Sequence, residues 1–106
     1  MVLSGVVVAY PKIDYRSVSI EDQKVYNQIE KNIEEKYFEG VNKIIVYGGE
    51  RWFEDGWFTD SGVIMLDKGG LYSFEKSLIH ELTHNKCWKE KRDLSHDSQC
   101  FTNGLY

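Results

Sequence analysis

Little in this chain marks a specialised class. It has one proline, Pro11, one alanine, Ala9, and two cysteines among 106 residues. No repeat, Pro- or Gly/Ser-rich linker or low-complexity segment interrupts it, so a single domain over residues 1–106 is expected. A chain of this length buries about two thirds of its unfolded surface, enough for one core. The longest apolar run, Val6-Val7-Val8-Ala9-Tyr10, is far too short to span a bilayer. It lacks a basic flank and a small-residue cleavage site, so no targeting segment is expected, and a cytoplasmic location is the default. Basic excess is also missing. The net charge is -4 and the pI about 5.3, against the basic stripe that an electrostatic grip on nucleic acid needs. Abundant Lys, Glu, Tyr and Ile beside the lone alanine are compatible with a thermophilic source.

What the chain does have is His80-Glu81-Leu82-Thr83-His84, an H-E-x-x-H motif. Residues four apart share a helical face, so His80 and His84 can each give one nitrogen to one metal ion. Glu81 is placed to act as general base toward a water on that metal. Three fixed positions in five arise by chance in a domain this size about a few times in a thousand. The surrounding pattern predicts the required helix. Ser73 is an N-cap, Glu75 an acidic first-turn residue, and Phe74, Leu78, Ile79 and Leu82 form an apolar stripe. Lys86, Lys89 and Lys91 suit the negative helix terminus.

A catalytic zinc needs a third protein ligand and an open position. His96, the remaining histidine, fits best on ligand chemistry, and Asp93-Leu94-Ser95 is turn material that returns the chain. Cys87 shares the helical face of His80 and His84 and competes, as do Glu90 and Asp97. Cys87 and Cys100 flank His96. They read either as two thiols in a reducing cytosol or as a disulfide that ties the terminal segment to the metal helix.

The stretch His80 to Trp88, followed by His96, resembles the SprT/Spartan-like zinc metalloproteases and their WLM-type relatives. Those families carry H-E-x-x-H on a helix, often a tryptophan four residues after the second histidine, and a third histidine a dozen or so residues on. Trp88 holds that tryptophan position, while Asn85 and Asp97 resemble the WLM pattern. Gly62 to Asp67 resembles the short strand that leads into the catalytic helix. Asp97 and Cys100 stand where SprT-like chains usually have glycine and an aromatic, with Phe101 one place late. Anti-repressor-cleaving peptidases with H-E-x-x-H are the nearest rival. The resemblance implies a minimal zincin-like domain, Zn2+ as cofactor, a protein or peptide substrate, and a DNA-directed role that the acidic charge does not support.

Elsewhere, Val6 to Tyr10 reads as a buried strand closed by Pro11. Ser19-Ile20-Glu21-Asp22 is a capping-box-like start. Val25, Ile29, Ile33 and Tyr37 then predict one amphipathic helix ending at Gly40. Lys43 to Tyr47 is β-branched and reads as a strand. Asp55-Gly56 between Arg51–Glu54 and Trp57–Thr59 is a hairpin signal, Asp60-Ser61-Gly62 a further turn, and Val63 to Leu66 a last strand. The expected fold is α+β, a small, mostly antiparallel sheet with two main helices, one of them carrying H-E-x-x-H. Trp52, Phe53, Trp57 and Phe58 crowd the hairpin. Either it or the 63–66 strand offers an edge for a substrate strand.

The function expected is zinc-dependent peptide hydrolysis, with metal ligands His80, His84 and His96 and Glu81 as the base. Tyr72, Tyr106 and Asn85 are unranked donors to an oxyanion. The alternative is a non-catalytic interaction module whose zinc is closed by Cys87 or Cys100 as fourth ligand. A tail from Ser98 to Tyr106 that covers the cleft is a third possibility.

Overall fold

Two serine caps set the helical frame. The Ser19 side chain accepts a hydrogen bond from the Asp22 backbone N–H and starts α1, Ile20–Asn32. The Ser73 side chain accepts from the Lys76 backbone N–H and starts α2, Phe74–Lys91. Both serines satisfy an orphan first-turn donor. The computed structural model describes residues 10–49, 56–59, 61–68 and 73–92. Its strands are β1 (Ile13–Arg16), β2 (Lys43–Tyr47), β3 (Gly56–Phe58) and β4 (Val63–Asp67), and a 3-10 turn spans Glu35–Phe38.

The α+β class holds, but the expected antiparallel sheet does not. Strand order is β1-β2-β4-β3. β1, β2 and β4 run parallel, and only β3 is antiparallel, paired to β4. The reason lies in the connections and in burial. Parallel neighbours need a crossover, and α1 supplies it between β1 and β2. In β2, Ile44, Ile45 and Val46 are all buried, the continuous apolar run of a strand covered on both faces. The antiparallel expectation extended one hairpin signal to the whole sheet. The described hairpin is β3–β4, closed where the Gly62 N–H donates to the Thr59 carbonyl at 3.0 Å. The Asp55-Gly56 turn lies outside the described residues except for Gly56, which begins β3.

Two further expectations shift. The strand expected at Val6 to Tyr10 falls outside the described residues except for Tyr10, and the described edge strand starts at Ile13, beyond Pro11. The helix expected to reach Gly40 stops at Asn32, because Ile33 turns extended (φ -90, ψ 138) and drops its side chain into the core at 2% exposure. Of the every-four positions, Ile29, Ile33 and Tyr37 pack on the core, while Val25 is 55% exposed. The covered face runs through Tyr26, Ile29 and Glu30. Gly40 still takes a positive φ of 87, but as the turn after the 3-10 segment.

The core fills one side of the sheet. Ile13, Ile44, Val46, Ile64 and Leu66 point from the strands to Phe74, Leu78 and Leu82 of α2. Leu78 and Leu82 are fully buried, each worth roughly 1.5–3 kcal/mol by transfer. Tyr26 of α1 stacks on Phe74 at 4.2 Å between ring centroids, joining the helices. Asn85 locks the far end of α2, donating to the carbonyls of Tyr37 (3.3 Å) and Glu39 (2.9 Å). No described helix is long and apolar enough to cross a membrane.

Candidate metal centre

The leucines that seat α2 also orient its motif. With Leu78 and Leu82 turned to the sheet, His80 and His84 rise one turn apart on a neighbouring face. Their ring centroids lie 5.0 Å apart, with planes at 82°. His80 is half-buried and His84 is buried. Phe58 of β3 lies nearly parallel to the His84 ring, 12° between planes and 6.4 Å between centroids. The β3 strand therefore borders the histidine pair. Sequence reasoning placed Phe58 in an aromatic cluster but missed this partner, because a helix–strand contact leaves no local signal.

Glu81 is 5% exposed. Burial pushes its carboxyl up to about 8, since desolvation penalises the charged form. A dication beside it would restore the carboxylate. The donor set fits zinc as far as it goes: two imidazoles one helical turn apart and a buried carboxyl that a cation would ionise.

The predicted third ligand, His96, lies outside the described residues, as do Asp97, Tyr72 and Tyr106. Among the described residues, no group of three His, Cys, Asp or Glu side chains is arranged to hold a metal ion. The competitors on α2 fare poorly. The helix continues through Glu90 to Lys91, so Glu90 is carried away from His84. Cys87 is fully buried and disulfide-bonded, which leaves no thiolate to ligate. Asn85 spends its amide on the two carbonyls that anchor α2, so it is a structural clamp and not an oxyanion donor.

A buried acid outside the motif escaped the sequence reading. Glu30 of α1 is 4% exposed, and its Oε2 has no hydrogen-bond partner among the described residues. Burial pushes its carboxyl up to about 7, with the neighbouring Lys31 charge opposing. Burial was not legible there because a charged residue on an amphipathic helix ordinarily marks its solvated side.

No family model, curated protein or solved structure matches this chain.

Proposed function

We propose that this protein is a zinc-dependent metallopeptidase of the minimal zincin type. The observation that carries the reading is the placement of H-E-x-x-H on one continuous, buried helix, with the His80 and His84 rings 5.0 Å apart and Glu81 between them. His80 and His84 would hold the metal through neutral imidazoles, with His96 as third ligand. Zinc, when bound, supplies a Lewis acid and lowers the pKa of water to about 7. Glu81 accepts the proton of the attacking water and returns it to the leaving amine. Its low exposure keeps bulk water from competing for that proton.

The substrate is a protein or peptide in extended form. Of the two edges considered from sequence, β4 is flanked by β2 and β3 and has no free side. β1 and β3 are the outer strands among the described residues, and of the two it is β3 whose Phe58 stacks beside His84. A substrate strand paired to β3 would run past the histidines, held by main-chain hydrogen bonds. The acidic charge gives no support for nucleic acid as partner. The Cys87 disulfide speaks against the alternative of a zinc closed by cysteine thiolate. It also ties a cytoplasmic location to a thermophilic source, because stable disulfides are rare in the reducing cytosol of mesophiles.

Elemental mass analysis of freshly purified protein, beside His80→Ala, His96→Ala and Glu81→Gln, tests the reading. One zinc per chain is expected in the wild type and in Glu81→Gln, with strong loss in both histidine variants. Peptide-library cleavage is expected in the wild type alone. Hydrolysis that survives Glu81→Gln removes the general base, and zinc lost only in His80→Ala moves the third ligand away from His96.

A further inference from the structure

Phe58 stands where the outer strand β3 meets the motif helix. It pairs across the ladder with Ile64 of β4, which is fully buried. The next residue fixes it from the turn side, where the Thr59 N–H donates to the Val63 carbonyl at 3.0 Å. The backbone at Phe58 is therefore set by the sheet, independently of the turns of α2. Its side chain is half-buried and packs on the edge of the core. The ring plane lies within 12° of the His84 ring, at 6.4 Å between centroids. His80 meets the same imidazole nearly edge-on, at 82°. The His84 ring thus has a neighbour on its own helix and a parallel one on the sheet.

We propose that Phe58 is a positioning residue, its ring setting the plane in which His84 presents a nitrogen to zinc. The inference rests on the zinc-peptidase reading of His84. An imidazole turns about its last side-chain torsion through a broad range, and only part of that range aims a ring nitrogen at a metal that His80 also reaches. Imidazoles that bind metal are ordinarily oriented by a further group that fixes the ring. A parallel aromatic wall does this by offset stacking, which favours matched planes. A ring held so has lost its rotational freedom before zinc arrives, and affinity rises by the ordering that binding no longer has to impose. Aromatic pairs at this spacing change an equilibrium constant by about twofold to tenfold. β3 is also the edge proposed for the substrate strand, so the same side chain joins that edge to the metal ligand.

The test measures zinc affinity by competition with a chromophoric chelator, in wild type, Phe58→Leu, Phe58→Tyr and His80→Ala. Circular dichroism follows helix content, and urea melts of the metal-free proteins follow packing. Leucine keeps an apolar side chain at the site and removes the ring, whereas tyrosine keeps the ring. The expected result is zinc affinity about twofold to tenfold weaker in Phe58→Leu and unchanged in Phe58→Tyr, with helix content retained in both. A side chain that served packing alone would shift the urea midpoint of Phe58→Leu with no change in zinc affinity. That outcome overturns the inference, while zinc that is still lost in His80→Ala leaves the peptidase reading standing. Equal weakening in Phe58→Leu and Phe58→Tyr also overturns it, since His84 would then not be responding to the ring plane. Loss of helix content in Phe58→Leu does the same, because Phe58 would then hold the fold and not one imidazole. Absence of zinc binding by the wild type sinks both.

Discussion

Glu30 offers a numerical test of how α1 packs. The folded protein holds its proton up to about pH 7, against 4.5 for a solvated carboxyl. Between those values the folded state binds more protons than the unfolded chain. The stabilisation is therefore complete below about pH 4.5 and is lost as pH rises through 7. At about 1.4 kcal/mol for each pH unit between those two values, the full loss is about 3.5 kcal/mol. Water drawn in by the ionised group makes that a ceiling. Glu30→Gln keeps the side-chain shape and removes the titration. Urea melts of both metal-free proteins at pH 5 and pH 8 give the comparison. Wild type is expected to lose up to about 2.5 kcal/mol more than the variant across this interval, roughly 10–20 °C in Tm for a domain of this size. Glu81 is shifted in the same direction, but it titrates in both proteins and cancels in the difference. Equal losses would mean that Glu30 ionises as a solvated acid, and the assignment of α1's inner face would fail.

Asn85→Ala should cost about 1–3 kcal/mol in chemical denaturation, because it strands the carbonyls of Tyr37 and Glu39 beneath α2; a change under about 0.5 kcal/mol would show that the clamp carries no load. Gly62→Ala should cost more than about 1 kcal/mol, since Gly62 sits at φ +85 and an added Cβ would collide with the Gly40 carbonyl oxygen. A stabilised Gly62→Ala protein would refute that turn geometry.

Where one residue type or one spacing dictates the outcome, the sequence was legible. Ser73, the Phe74–Leu78–Leu82 stripe and the terminal lysines marked both ends and the buried face of α2. Ser19 marked the start of α1, and Gly62 the β3–β4 turn, for the same local reasons. The failures share a different cause. The end of α1 depends on Ile33 finding a pocket in the core, which outweighs a helical period that continued to Tyr37. Strand direction depends on what lies between strands, and the β-branched run of β2 was compatible with either sense until its two-sided burial was known. At the candidate metal centre, spacing alone put His80, Glu81 and His84 together, while the Phe58 contact, the Asn85 clamp and the Cys87 disulfide depend on residues distant in sequence or on redox state.

The disulfide also bears on where such a protein can work. Thiol–disulfide exchange requires a thiolate to reach a sulfur atom, and Cys87 has no exposed surface. Direct attack on the Cys87 sulfur must therefore wait for the last turns of α2 to open. Those turns are held by Asn85 on one side and by the Arg92 cap at the end. Opening costs a fraction of the global stability, so while reclosing is fast the rate of attack there follows the open population multiplied by the reductant concentration. A thermophilic cytosol and an oxidising compartment both preserve the Cys87 linkage, the first through infrequent opening and the second through chemical poise. In a mesophilic cytosol the same helix end would open more often, and the Cys87 linkage would be lost sooner.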